Sequence, residues 1–314
     1  MIPELLKRGH QVTLFAHPNS KIACNLIPYS GKSSVSLVDT WKNMQCIKKA
    51  YFAKKFDVLH SFGRLAYLLP LLSKPFPKIM TYQRKISPRS ILWGSRLSRG
   101  SLHFTAISHH MVEPVKKLSD WKVIYNAVDI RTFQFQAQVD SQAPLIFLGR
   151  VEEIKGPHLA IEVAQKSGRR LLIAGNIPQG SKHQNYFETR IKPHLMPRFI
   201  DYIGPVEDAQ KNELLRQAAA LLMPILWEEP FGIVMAEALA CGTPVIGLRQ
   251  GSVPEVILQG QNGFVCDSVG EMIVAVAKIG QISRAKCRED AEKRFSHSVL
   301  VDQYENLYQS ALKK

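Results

Sequence analysis

The stretch PLIFLGRVEEIKGPHLAIEVAQKSGRRLLIAG, Pro144 to Gly175, decides the fold. It opens on a short and nearly continuous apolar run, PLIFLGR (Pro144 to Arg150). A polar turn follows, then HLAIEVAQKSG with apolar residues at helical spacing, then a second apolar run, RLLIAG (Arg170 to Gly175). Near-continuous apolar strands that alternate with helices belong to parallel sheets covered on both faces. The same grammar continues through FIDYIG (Phe199 to Gly204), a helix from about Ala209 to Ala219, and the runs ALLMPI, GTPVIG and NGFVCD. Upstream, QVTLFAH (Gln11 to His17), FDVLHSF (Phe56 to Phe62) and PKIMTY (Pro77 to Tyr82) read as strands. LHFTAIS (Leu102 to Ser108) and KVIYNAV (Lys122 to Val128) read likewise, with longer segments of mixed polarity between the runs. The expectation is two doubly wound α/β domains, which 314 residues accommodate. The polar stretch FQFQAQVDSQAP (Phe133 to Pro144) reads as the linker. In the last segment Val299, Val301, Tyr304, Leu307, Tyr308 and Leu312 are spaced for one amphipathic helix.

Composition excludes several classes. A 46% hydrophobic share is too high for a disordered chain. The run LAYLLPLL (Leu65 to Leu72) contains a proline and is under half the ~20 residues of a membrane-spanning helix. The start, MIPELLKRGH, lacks the basic-then-apolar order of a secretory signal, so the expected compartment is the cytoplasm. Cys24, Cys46, Cys241, Cys266 and Cys287 are scattered, without the spacing of a disulfide framework or a zinc site. The charge is lopsided. Residues 1–140 hold 21 Lys/Arg against 7 Asp/Glu, a formal +14, and the remainder is nearly neutral at +1. A basic half facing a neutral one points to a polyanionic partner. No helix-turn-helix, zinc-finger or aromatic RNP pattern supports nucleic acid, which favours an anionic membrane surface at the inner face or an anionic acceptor, beside the alternative of a merely solvated basic surface. No G-x-G-x-x-G opens a helix, which argues against a dinucleotide dehydrogenase.

The chemistry concentrates in WEEPFGIVMAEALACGTPVIG, Trp227 to Gly247. Pro230 suits a first helical position, because its missing N–H has no partner there in any case. Gly242 and Pro244 then end the helix. On this reading Glu229 stands just before a helix N-terminus, where the N–H groups of Phe231, Gly232 and Ile233 can hold a phosphate or sugar oxygen. Glu237 lies eight residues on, about 12 Å along a helix axis. That exceeds the roughly 5–9.5 Å between paired glycosidase carboxylates, so the two acids are expected to touch different parts of one extended ligand.

Glu-x7-Glu with Pro-Phe-Gly after the first acid resembles the retaining glycosyltransferases of family 4, which have the GT-B fold. GRVEEIKG (Gly149 to Gly156) is similar to that family's Gly-Arg…Lys-Gly segment, and YNAVD (Tyr125 to Asp129) to its Asn-Gly-Val-Asp segment, with Ala127 for glycine. GSVPEVI resembles its Gly-Gly-x-Pro-Glu loop, with Ser252 for the second glycine. RFSHSVLVDQYENLY resembles its C-terminal helix, with His297 for a common Trp. LKRGHQVTLFA and FDVLHSF match its first-domain landmarks, and EEPFG with GSVPEV and YFE…IKPHL resembles the avilamycin-type branch.

The resemblance implies two Rossmann-like domains facing a cleft: an acceptor-side domain over 1–135, a nucleotide-sugar domain over 144–295, and a helix over 296–314 crossing back to the first. It also implies that the family's first strand and Gly-rich loop are absent, so that the chain opens within the following helix. Arg150 and Lys155 would neutralise the donor diphosphate, Glu229 would take the sugar hydroxyls and Glu237 the ribose hydroxyls. Gly149 belongs to the phosphate segment, Gly204 and Val206 would flank the base, and Gly175 would let the ligand approach. The implied reaction is transfer from a UDP- or GDP-sugar, UDP being favoured, to a small-molecule, lipid or glycan acceptor. It would proceed with retention and without a metal or other cofactor; the chain carries no Asp-x-Asp. On the acceptor side His60 and Ser61 follow a strand, and Tyr82 stands where relatives carry a histidine. The competing reading is a nucleotide-sugar-binding module with little catalysis.

Overall fold

The computed structural model describes residues 1–32 and 36–313. The chain divides into two units, Met1–Tyr125 with the C-terminal residues from His297, and Asn126–Ser296. The first unit begins with α1 (Ile2–Lys7), β1 (Thr13–Ala16), β2 (Asn25–Pro28) and α2 (Leu37–Ala53). It continues with β3 (Leu59–Ser61), a 3-10 segment (Leu65–Leu71), β4 (Lys78–Tyr82), α3 (Pro88–Ser98), β5 (Leu102–Ala106), α4 (His109–Val112) and β6 (Trp121–Val123). Two parallel sheets result, β1-β2 and β3-β4-β5-β6.

The second unit carries β7 (Leu145–Leu148), α5 (Pro157–Ser167), β8 (Leu171–Ala174), α6 (Ser181–Tyr186), β9 (Ile200–Gly204), α7 (Asp208–Gln217) and β10 (Ala220–Met223). Then come α8 (Ile233–Ala240), β11 (Val245–Leu248), α9 (Val253–Val256), β12 (Gly263–Cys266), α10 (Val269–Lys278) and α11 (Arg284–Phe295). Its six strands form one parallel sheet in the order β12-β11-β10-β7-β8-β9. Leu145, Ile146, Leu171, Ile173, Leu221, Leu222, Val245 and Ile246 are fully buried, which is why these strands read as unbroken apolar runs. Each such side chain contributes ~1.5–3 kcal/mol by leaving water. α5 starts at Pro157 after Gly156, which is left-handed at φ 71°, and stops at Gly168 at φ 66°. Strand order reverses between β7 and β10, and the crevice at the carboxyl ends of those two strands is where doubly wound sheets bind ligands.

α12 (His297–Leu312) belongs with the first unit. Its Tyr304 and Leu307 join Ile79 and Ile124 in one apolar cluster. Arg8 holds it from outside, 2.6 Å from Asp302 Oδ1 and 2.6 Å from Glu305 Oε2. Leu312, expected on the inner face, is exposed.

Phe133 to Pro144 is no linker. Phe133 and Ala143 are buried, and Gln136 N–H donates to Cys241 O at 3.1 Å. Arg284 Nε donates to Gln136 O and Arg288 Nη1 to Phe133 O, both at 2.7 Å. The polar side chains made the stretch look free, but its backbone is strapped to α8 and α11. The first segment of the first unit ends at Tyr125, ten residues before the expected limit at 135.

Candidate functional site

The loops after β7 and β10 meet at the switch point and bring together residues 74 apart in sequence. Lys155 Nζ lies 2.5 Å from Glu229 Oε2, and Trp227 Nε1 donates to the same oxygen at 3.0 Å. The ammonium also sits 4.7 Å from the centre of the Trp227 ring, within cation–π range. Glu229 is buried, and both contacts fall on Oε2 rather than Oε1. Behind it, Gly251 at φ 55° leaves no space: a Cβ there would stand 2.3 Å from Glu229 N and 2.4 Å from Glu229 O. Ser252 N–H donates to Glu229 O at 2.9 Å. The GSVPEVI loop therefore fixes the backbone that presents this carboxylate.

Arg150, at the end of β7, is half exposed and lies 2.7 Å from Oε1 of buried Glu152. Glu237 is buried in α8, with Lys211 Nζ 2.7 Å from Oε1; Lys211 also reaches Asp208 at 3.1 Å. Burial pushes the Glu237 carboxyl above its ordinary range, and Lys211 acts against that rise. The loop after β7 thus offers two cations, and Glu229 and, eight residues on, Glu237 are each already met by a lysine. Such a set can bind a ligand that carries both phosphate and hydroxyl groups.

Two expectations here are corrected, the helix start and the spacing drawn from it. α8 starts at Ile233, not at Pro230, with Gly232 as the left-handed residue before it at φ 69°. Glu229 therefore lies in a loop, so the helical 12 Å estimate to Glu237 does not apply. Phe231 precedes the helix, and its ring, 2% exposed, packs edge-on against Phe295 with centres 5.6 Å apart. Met235 N–H, in the first turn, already donates to Gly232 O at 2.9 Å. Gly175 makes room for backbone, since a Cβ there would meet Gly149 O at 1.8 Å. Gly149 N–H donates to Ala174 O, Gly175 N–H to Gly204 O, and Tyr202 Oη to Gly175 O, which laces the ends of β7, β8 and β9 together. Val206 follows β9 and is half-buried.

The first-unit candidates are spoken for within their own unit. His60 Nδ1 and Nε2 each lie 2.7 Å from a hydroxyl, Tyr308 Oη and Thr81 Oγ1. The ring stacks on Phe62 and tilts against Tyr304. Burial pushes its pKa down to about 3, so the imidazole is neutral. Ser61 Oγ accepts from Gly63 N–H at 3.3 Å. Tyr82 Oη pairs with Ser90 Oγ at 3.0 Å, and its ring faces Phe104 and Trp121. The sequence reading did not single out Trp227, Glu152 or Gly251 as site residues, and it placed Lys211 near the base, where the structure sets it against Glu237. Each of the first three had a local signal: Trp227 stands two residues before Glu229, Glu152 two residues after Arg150, and Gly251 opens GSVPEVI.

The model of the family described as "Glycosyl transferases group 1" matches residues 129–296, more than half of the chain and nearly all of the second unit. The chain belongs to this glycosyltransferase family. A curated relative, N-acetyl-alpha-D-glucosaminyl L-malate synthase of Bacillus anthracis, is 26% identical over 234 residues, covering 67% of this chain. The chain spans 60% of that relative's length. Among solved structures, AviGT4, a glycosyltransferase involved in avilamycin A biosynthesis, is similar at a TM-score of 0.71 and 22% identity, covering 99% of this chain and 88% of its own. Anabaena Alr3699/HepE, solved with UDP, is similar at a TM-score of 0.73 and 17% identity, covering 91% and 86%. These likenesses establish the fold, which is GT-B. Among the described residues no helix is long and apolar enough to cross a membrane, and no three His, Cys, Asp or Glu side chains gather as a metal site.

Proposed function

We propose that the chain is a retaining glycosyltransferase that takes a sugar from a nucleotide diphosphate, UDP in preference to GDP. The observation that carries the reading is the Lys155–Glu229–Trp227 cluster at the β7/β10 switch point, with Arg150 in the same loop after β7 as Lys155. Departure of a nucleoside diphosphate builds negative charge, and fixed cations aimed at that charge stabilise the transition state. Arg150 offers a planar fork and Lys155 a point charge to the phosphates, a job otherwise done by a divalent metal. Glu229, held by Gly251 from behind and by Trp227 at one oxygen, accepts hydrogen bonds from sugar hydroxyls. Glu237 accepts from the ribose, and the backbone near Gly204 and Val206 flanks the base. UDP in the similar HepE structure supports the choice of nucleotide. Transfer proceeds on the face from which the diphosphate leaves, so the anomeric configuration is retained and no enzyme-bound sugar forms. The acceptor is a lipid, glycan or small molecule, met by the basic first unit at the inner face of a membrane.

The test is nucleotide release from a panel of UDP- and GDP-sugars in the presence of candidate acceptors. The parent chain releases UDP, and Glu229→Ala abolishes release while leaving the fold unchanged by circular dichroism. Undiminished release by Glu229→Ala would refute the assignment.

A further inference from the structure

Among the described residues the first unit exposes ten large apolar side chains, and eight lie on α2, the 3-10 segment and α3. α2 presents Val38, Trp41 and Phe52, while α3 presents Leu92, Trp93 and Leu97. Trp41 and Trp93 are 59% and 62% exposed. Isolated exposed apolar residues are ordinary, but a grouped set with two tryptophans marks an interaction surface.

These elements form one layer. The strands β3, β4 and β5 are parallel neighbours, and right-handed crossovers put the 3-10 segment and α3 on the same face of their sheet. The Leu65 side chain reaches Gly94 of α3, where an added Cβ would lie 3.2 Å from it, and α2 packs against the same 3-10 segment. Over residues 37–100 the chain holds 13 Lys/Arg and only two acids, Asp39 and Asp57. Lys48, Lys49 and Lys54 flank the α2 aromatics in the open, as Arg89, Arg96 and Arg99 flank Trp93 of α3.

We infer that the α2–α3 layer is a docking surface for an anionic lipid bilayer, which localises the membrane contact proposed above and rests on that reading only for the acceptor. Charge decides the occupant. A second copy would bring one strongly basic face against another. A nucleic acid would use the cations but leave Val38, Leu92 and Leu97 without a purpose. An anionic bilayer uses both, because tryptophan and leucine enter the headgroup boundary while Lys and Arg meet the lipid phosphates.

The experiment is co-sedimentation of the full chain with two kinds of vesicle, at low and high salt. One is phosphatidylcholine alone; the other carries phosphatidylglycerol as a third of its lipid. The chain pellets with the anionic vesicles only, and high salt releases it. At about fivefold per lost cation, Lys48→Glu with Lys49→Glu and Arg96→Glu lowers partitioning about a hundredfold. Trp41→Ala with Trp93→Ala keeps the charge, yet lowers partitioning by about tenfold or more and removes the blue shift of tryptophan emission. All five positions are exposed, so the melting curves of both variants match the parent's. Equal binding to both vesicles, no binding, or full binding by the tryptophan variant would overturn the inference. So would binding to duplex DNA without vesicle binding, or a dimer that the tryptophan substitutions dissolve. UDP binding is measured on the same samples. Its loss with vesicle binding intact would sink the transferase reading alone, and the reverse result would sink this inference alone.

Discussion

Replacing Lys155 with Met and Glu229 with Gln, singly and together, separates what the pair contributes to the fold from what it contributes to a ligand. In the parent the ammonium and carboxylate are 2.5 Å apart, with side chains 18% and 11% exposed. Removing one member of a fully buried pair costs ~3–5 kcal/mol, because the other charge is left unpaired. The residual exposure here lets water reach the orphan, so Lys155→Met is expected to cost ~2 kcal/mol. For a unit of this size that is a fall in Tm of roughly 4–8 °C. Glu229→Gln keeps an acceptor for the Trp227 indole but leaves Lys155 without its counter-charge, and costs somewhat less. In the double variant no charge is orphaned, so the loss should fall well short of the sum, with a coupling of ~1–2 kcal/mol. Calorimetric unfolding of the four chains measures this, and titration with UDP-glucose measures the other half. The double variant should be about as stable as the Lys155→Met variant and bind nucleotide sugar at least about a hundredfold more weakly than the parent, in line with losing two charge-assisted contacts. Additive stability losses would refute the coupling. Parent-like nucleotide affinity in the double variant would refute the placement of the ligand.

Two further outcomes follow from the geometry. Gly251→Ala drives a Cβ into the Glu229 backbone at a left-handed φ of 55°, so it should cost at least ~2 kcal/mol and weaken donor binding. A parent-like melting curve and affinity would contradict the fit described for that loop. His60 is neutral in the fold, with its pKa near 3, whereas the unfolded residue titrates near 6.5. Between those values only the unfolded chain gains the proton, so stability falls as pH falls, by up to ~1.4 kcal/mol per unit from this group. Urea titrations between about pH 6 and pH 4 should show a shallower pH slope for His60→Gln than for the parent, and equal slopes would contradict the neutral, buried imidazole.

The second unit was legible because its strands are buried on both faces, and such strands announce themselves as runs like LIFL and LLIA. β2 was not read, since Asn25 and Pro28 are exposed at the ends of a four-residue strand and dilute its pattern. The Phe133 to Pro144 strap failed for a different reason. Its attachment is made by backbone groups that accept from Arg284 and Arg288, about 150 residues away, and composition carries no trace of that. Glu229 and Glu237 stood out through the Glu-x7-Glu pattern, and Arg150 and Lys155 through the resemblance of GRVEEIKG to a family segment. Their pairing did not, because Lys155 with Glu229 and Lys211 with Glu237 are contacts the fold makes. Pro230 misled for a local reason. A proline suits a helix start, but Gly232 supplies the turn into α8, and burial of Phe231 fixes the residues between.

The most direct test of the account is calorimetric titration of the chain with UDP-glucose in the presence of EDTA, beside the Arg150→Ala/Lys155→Ala variant. The account predicts that the parent binds without any divalent metal, and that the variant loses at least about a hundredfold in affinity with its fold intact. Binding that requires a metal, or that survives removal of both cations, would contradict it.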